Sequence, residues 1–301
     1  MKHTALLLLA VSLAGAQSRP KILRIAHVSL YTHDIAQSRA FYKDYLGFGE
    51  PFHLDNPDGS LSMAFIKVND RQYIELAPEK APNTDRLNHI AVEVDDAERM
   101  RAYLAAHGIK VPDTVPKGRT RNSNFTIKDP DGHGVEIVQY EPDGWSLRDA
   151  GKAMDGPRVS SHIMHLGISV ANLDAAMKFY GGLLGFVETW RGSKDEKTLN
   201  WVNMRVPDGE DYLEFMLYAE APSRSQLGTM HHICLEVADI EKSAAELQKR
   251  PGYTRALEVR TGVNRRRQLN LYDPDGTRSE LMEARTVDGK PTPPSQAPPP
   301  R

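Results

Sequence analysis

Four histidines and four glutamates alternate along this chain: His27 with Glu75, His89 with Glu136, His165 with Glu214, and His232 with Glu280. In each pair the glutamate follows the histidine by 47 to 49 residues. Chance seldom holds two reactive residue types to so even a spacing. The pattern indicates one folding unit repeated four times, with the same polar pair in each copy. Imidazole and carboxylate are ligands for divalent transition metals. Two units facing each other would supply two His and two Glu, and such a set with positions left open for water or substrate makes a Lewis-acid site. Zn, Ni, Mn, Co and Fe all accept these donors, and the ligand types do not choose among them.

The residues around each pair say what must position it. The histidines lie on short apolar segments expected to be strands, at 25–31, 89–94, 165–170 and 232–237. Strand side chains alternate between faces. Val28 and Leu30, Ile90 with Val92 and Val94, Leu166 with Ile168 and Val170, and Ile233 with Leu235 and Val237 therefore form an apolar face opposite each histidine. An amphipathic helix is expected to cover each such face, with Asp34, Asn172 and Asp239 at N-caps. The glutamates repeat the alternation: Ile74 and Leu76 flank Glu75, Val135 and Ile137 flank Glu136, and Leu213 and Phe215 flank Glu214. Glu280 has Leu281 on one side and Ser279 on the other, the weakest of the four. Each Glu thus shares the uncovered face of its sheet with a His.

A chain of 301 residues suits about two domains. With 38 Lys and Arg against 40 Asp and Glu, it lacks the basic excess of a nucleic-acid binder. Lys2 and His3, the apolar run 5–14 and Ala14-Gly15-Ala16 read as a secretory signal peptide spanning 1–16. The expected location is periplasmic or secreted, with no membrane attachment after cleavage. The lone Cys234 excludes an internal disulfide and reads as a small packing residue on an apolar strand. The polar stretch 141–161 is the expected linker between domains at 22–140 and 162–285. The Pro-rich segment 286–301 is expected to be a disordered tail.

Two further repeats carry a resemblance. Phe41-Tyr42-Lys43-Asp44-Tyr45-Leu46-Gly47-Phe48 is nearly copied by Phe179-Tyr180-Gly181-Gly182-Leu183-Leu184-Gly185-Phe186, and Asp-Pro-Asp-Gly recurs at 129–132 and 273–276. Gly47 and Gly185 are natural C-cap positions. With the four His/Glu pairs, these features resemble the vicinal oxygen chelate superfamily, which contains glyoxalase I, methylmalonyl-CoA epimerase, extradiol dioxygenases and bleomycin- or fosfomycin-resistance proteins. The resemblance covers residues 24–285, nearly all of the mature chain. It implies an α+β fold: four βαβββ modules paired into two glyoxalase-like domains with curled open sheets, the first and last strands of a module side by side. It implies two metal sites, one of His27, Glu75, His89 and Glu136, the other of His165, Glu214, His232 and Glu280.

The resemblance to glyoxalase I and the epimerase further implies a lyase or isomerase that stabilises an enediolate or enolate of a small oxygenated substrate, with Glu136 and Glu280 as bases. The alternative is an extradiol ring-cleaving dioxygenase using His165, His232 and Glu280. Against it, Glu214 fills a position that triad does not use, and the tyrosine expected ten residues before the ligand Glu is Asn270, with Tyr272 two positions off. A non-catalytic small-molecule binding or resistance protein is a third class. The expected partner is a small-molecule substrate, and the protein is a monomer or homodimer. Arg265-Arg266-Arg267, with Arg121 at the matching place in the second unit, reads as a solvated strand edge rather than a carboxylate seat. His231 faces away from His232, and Trp190, Trp201 and Tyr212 are candidates for the wall of the second cleft.

Overall fold

The repeats of the sequence are repeats of structure. The computed structural model describes residues 18–81 and 85–301; the expected leader, 1–16, lies outside the described residues. The first module runs β1 (Ile22–Thr32), α1 (Ile35–Arg39), β2 (Gly49–Asp55), β3 (Leu61–Lys67) and β4 (Tyr73–Pro78). The second has β5 (Leu87–Val94), α2 (Ala97–Ala106), β6 (Ser123–Lys128) and β7 (Gly134–Gln139). A short helix, α3 (Trp145–Arg148), interrupts the linker. The third module has β8 (Ile163–Val170), α4 (Leu173–Ala176), β9 (Val187–Ser193), β10 (Leu199–Arg205) and β11 (Tyr212–Leu217). After α5 (Arg224–Met230), the fourth has β12 (His232–Glu236), α6 (Ile240–Leu247), β13 (Val259–Thr261), β14 (Arg266–Tyr272) and β15 (Arg278–Thr286). Only the second module departs from βαβββ: its second strand is reduced to an isolated bridge between Lys117 and Ser123.

Modules pair within one chain. The first sheet is ordered β2-β3-β4-β1-β5-β7-β6 and the second β13-β14-β15-β12-β8-β11-β10-β9. In every module the first strand lies parallel to the last: β1 to β4, β5 to β7, β8 to β11 and β12 to β15. The two first strands of a domain meet antiparallel at its centre. In that register His89 sits opposite Ser29 and His232 opposite Gly167, each two residues from the other histidine of its domain. A two-residue step keeps a side chain on the same face, so both histidines of a domain project together. Val28, Leu30, Ile90, Val92, Leu166, Ile168, Ile233 and Leu235 are buried on the opposite side, in one apolar cluster that runs through both domains. Burying each such side chain stabilises the fold by about 1.5–3 kcal/mol.

The helices begin where the sequence places caps. Asp34 accepts from the backbone N–H groups of Ala36 and Gln37, Asn172 from Ala175, and Asp239 from Lys242. The Phe-Tyr-x-x-x-Leu-Gly-Phe motifs continue α1 and α4 as π-helical segments, Ala40–Tyr45 and Met177–Leu183. Leu46 N–H reaches back five residues to Phe41 O at 2.9 Å, and Leu184 N–H to Phe179 O at 3.0 Å. Gly47 then turns with φ +83°, and a Cβ there would stand 2.4 Å from Pro157 O.

The two repeated motifs meet across the domain boundary. Tyr42 OH donates to Asp273 Oδ2 at 3.1 Å, and Tyr180 OH to Asp129 Oδ2 at 2.9 Å. The aromatic motif of each domain thus clasps the Asp-Pro-Asp-Gly turn of the other, and each site is complete within one chain. A second junction is Gln72, whose amide binds Ile25 O, Ile163 O, Ile163 N–H and Asp211 Oδ2. The linker packs Trp145 edge-on against Phe52. Residues 287–301 form no helix or strand, but they do not stand free as their composition suggests. Ser295 N–H donates to Arg191 O at 2.9 Å, and Pro298 O accepts from Leu199 N–H at 2.8 Å. Unpaired backbone groups at the edge of the second sheet supply what the tail's own side chains lack.

Candidate metal centres

All eight sequence-derived site residues fall into two clusters. In the first, His27 Nε2 and His89 Nε2 are 3.0 Å apart. Glu75 lies 3.5 Å from His27 Nε2 and 3.6 Å from His89 Nε2, and Glu136 lies 3.8 Å and 3.4 Å from the same atoms. In the second, His165 Nε2 and His232 Nε2 are again 3.0 Å apart. Glu214 stands 4.0 and 3.5 Å from them, and Glu280 3.6 Å from each. The parallel pairing of first and last strands explains this convergence, because it sets each Glu beside the His of its own module.

Burial controls the charges. It pushes the Glu136 carboxyl up to about 8, and it raises Glu75 well above the carboxylate range with Glu136 adding repulsion. Glu214 rises to about 8 through burial and the charge of Glu280, opposed by Arg278 and Arg266. Glu280 is raised by burial against the pull of Arg278 and Arg260. The histidines move the other way: burial lowers His89 to about 4 and holds His27, His165 and His232 well below the imidazole range. The only ion-pair partners of these four carboxylates among the described residues are the four histidines. Two carboxyls beside two neutral imidazoles are unfavourable as anions without a cation. The donor set therefore fits a divalent metal, and each cluster is able to hold one.

The two clefts differ. The first cluster opens into a cavity of about 170 Å³, whose wall includes Ser146 from the linker and Arg119. The second opens into about 450 Å³, walled by Trp190, Trp201, Tyr272, Lys194, Arg260 and Arg278. Trp190 and Trp201 are thus cleft residues, whereas Tyr212 packs against His165 in a tilted ring contact with centroids 4.6 Å apart. His231 turns away, between Ser169 Oγ at 2.9 Å and Asp85 Oδ1 at 3.0 Å. Arg121 and Arg265 both adopt positive φ in turns and pair with Asp143 and Asp288, so neither reaches a cleft. Cys234 is fully buried, and burial pushes its thiol up, away from reactivity.

Arg278 was not evident from any motif. Its Nη2 lies 2.7 Å from His232 Nδ1 and 3.0 Å from His232 Nε2. The signal was available in the repeat: two residues before Glu136 stands Gly134, and two before Glu280 stands Arg278. At Gly134 a Cβ would come within 2.9 Å of His89 Cβ.

Comparison with known proteins agrees with this architecture. The model of the Glyoxalase/Bleomycin resistance protein/Dioxygenase superfamily matches residues 24–137 and again 162–281. Lactoylglutathione lyase of Neisseria meningitidis serogroup A is 29% identical over 125 residues, which is 39% of this chain and 91% of that protein. Human mitochondrial methylmalonyl-CoA epimerase is 27% identical over 127 residues, 40% of this chain and 72% of that one. Among solved structures, the 2,3-dioxygenase LapB from Pseudomonas sp. KL28 superposes with a TM-score of 0.66 at 17% identity, covering 91% of this chain and 97% of its own. The Mn(II)-bound glyoxalase from Novosphingobium aromaticivorans gives 0.66 at 18% identity, covering 93% and 88%. These last two likenesses speak for the fold. With both halves matched separately and in register with the two His/Glu clusters, the chain belongs to the Glyoxalase/Bleomycin resistance protein/Dioxygenase superfamily.

Proposed function

We propose that the protein is a metal-dependent lyase or isomerase that removes a proton from the carbon beside two adjacent oxygens of a small substrate. The observation that carries this reading is the meeting of two imidazoles and two carboxylates in each domain, with both carboxylates lining an open cavity. A divalent ion bound there would act as a Lewis acid, gripping both oxygens and stabilising the enediolate or enolate charge. His27, Glu75, His89 and Glu136 would hold it in the first domain, and His165, Glu214, His232 and Glu280 in the second. Affinity order favours Zn over Fe or Mn, and the ligand set itself does not choose among Zn, Ni, Mn, Co and Fe.

Glu136 and Glu280 are the bases. A buried carboxylate has a raised proton affinity and takes a C–H proton more readily than an exposed one. In the first domain the Glu136 side chain is 14% exposed against 8% for Glu75, which gives it the better access to substrate. In the second, Glu280 is 3% exposed and Glu214 8%, so exposure does not favour Glu280 there and its assignment rests on its place in the repeat, equivalent to that of Glu136. The relatives named lactoylglutathione lyase and methylmalonyl-CoA epimerase support this chemistry. The apolar run after Lys2 and His3 supports export to the periplasm or medium. Glutathione is mainly cytosolic, so the substrate is taken to be free of it. Recovery of the mature chain from a periplasmic or culture fraction, starting at Gln17, checks the location.

The test is exchange of substrate C–H protons with deuterated water, followed by NMR over a panel of small 2-hydroxy and 2-oxo compounds. Replacing Glu136 and Glu280 together by Gln should abolish exchange, with metal content per chain measured alongside, and undiminished turnover rejects the mechanism. A second reading, an extradiol-type dioxygenase, has one observation in its favour: His165, His232 and Glu280 form a compact triad with Tyr272 in the same cavity wall. Oxygen uptake by the iron-loaded protein with catechols would select it. Tight binding of a compound with no product in either assay would select a binding or resistance protein.

A further inference from the structure

Three cations face the second cavity without an acidic partner. Lys194, Arg260 and Arg278 all line it, and among the described residues none has a carboxylate within ion-pair distance. Lys194 sits over the Trp201 ring, its Nζ 5.6 Å from the ring centroid. Arg278 is only 8% exposed, and its Nε has no hydrogen-bond partner. A buried guanidinium left unpaired costs several kcal/mol, so such a group ordinarily has an anion to meet.

The hydrogen bonds of His232 sharpen the point. Its Nδ1 lies 2.9 Å from Met230 O, a group that only accepts, so Nδ1 carries the ring proton. The acceptor left for Arg278 on that ring is Nε2, which is the atom facing the other three donors of the cluster. An ion held by the cluster would occupy that lone pair, leaving the guanidinium donors free for a group in the cavity. Charge adds to the argument. A divalent ion balances Glu214 and Glu280, leaving the cavity with three uncompensated positive charges. The first domain offers the contrast: its cavity has Arg119 alone, and Arg119 is already bonded to Ser62 Oγ and Asp55 O.

We propose that the second domain's cleft takes an organic oxyanion, a substrate whose carboxylate, distinct from the oxygen pair on the metal, is held by Arg278 and Arg260 with Lys194 at the mouth. This rests on the metal-dependent reading above and extends it to the class of substrate. Trp190 also lines this cavity, and its buried indole N–H has no acceptor. Guanidinium pairs bind carboxylates through short charge-assisted hydrogen bonds that an uncharged amide cannot replace.

The test uses two probes that grip a metal identically and differ only in remote charge: benzohydroxamate carrying a 4-carboxylate, and the same molecule carrying a 4-carboxamide. Each is titrated calorimetrically into the zinc-loaded mature protein, with zinc per chain measured alongside. The acid should bind about tenfold tighter or more than the amide. The preference should shrink in Arg260→Ala with zinc content and amide affinity unchanged, and collapse in Arg278→Ala when affinities are compared at the zinc content measured for that variant. Equal affinities in the zinc-loaded wild type, or a preference that survives both substitutions, overturn the inference and leave the metal reading standing. A wild type that takes up no zinc or other divalent ion overturns both. If Arg278→Ala does not fold, Arg260→Ala decides, because Arg260 is exposed and can be lost without emptying the core.

Discussion

At the scale of single residues, one glycine shows how closely the second cluster is fitted. Gly167 faces His232 across β8 and β12, and a Cβ there would stand 2.0 Å from His232 Nδ1. The matching place in the first domain is Ser29, opposite His89, where a side chain fits and bonds Asn88 Nδ2 at 3.2 Å. Interiors do not absorb such an overlap without moving the side chain. Gly167→Ala is therefore expected to push His232 out of the cluster and lower metal content by about one ion per chain. The first centre should survive. Elemental analysis of the purified variant checks this, and full occupancy of both centres would show that His232 is not a ligand. The eight donors were legible in the sequence because one spacing repeats four times. Arg278 was not, because no motif marks it and its importance depends on which atoms of His232 it approaches.

At the scale of elements, strands, caps and modules follow from local pattern, while the meeting of motifs does not. The π-helical segments Ala40–Tyr45 and Met177–Leu183 present Tyr42 and Tyr180 to turns more than 50 residues away in sequence. Asp273 is buried and raised to about 6, chiefly by that burial. It also accepts from the backbone N–H groups of Asp275 and Thr277. Tyr42→Phe removes one donor from a carboxyl that keeps others, so a loss of about 1–2 kcal/mol is expected, with a similar loss for Tyr180→Phe. Urea unfolding with an unchanged slope checks both. No loss in either variant would mean that the clasp contributes nothing to stability. The missing strand of the second module is a limit of reading by repeat: residues 107–122 form a loop, with only the Lys117–Ser123 bridge where a strand was expected.

At the scale of the molecule, the two domains share a junction that titrates. His162 Nε2 lies 2.7 Å from Asp211 Oδ1 and its Nδ1 2.7 Å from Glu236 Oε2. Asp211 Oδ2 in turn accepts from Ile25 N–H at 2.9 Å and from Gln72 Nε2, both of the first domain. The hydrogen bond to Asp211 is the main cause that raises His162 to about 8, against burial and with help from Glu236. A histidine with a folded value above its unfolded 6.5 contributes stability that is complete below pH 6.5 and is lost as pH rises through 8. About 2 kcal/mol follows from the shift, and solvent screening of a side chain one-third exposed reduces it to about 1 kcal/mol. The unfolding free energy should fall by that amount between pH 6 and 9, and His162→Gln should flatten the fall. An equal slope in the variant would assign the pH dependence elsewhere.

What the sequence determined by itself was the kind of residue at each centre and the fold that carries it. Side-chain alternation and a repeated spacing are local properties, and four copies of one pattern leave little freedom in how they pair. Only the tertiary structure decided that the aromatic motifs clasp the opposite domain's turns, that the Pro-rich end lies along a sheet edge, and that the two clefts carry different charge. The last of these depends on Lys194, Arg260 and Arg278, which come from three separate segments of the second half and all line one cavity of the folded domain. Distance in space between residues far apart in the chain is set by the tertiary fold, and no window of sequence contains it.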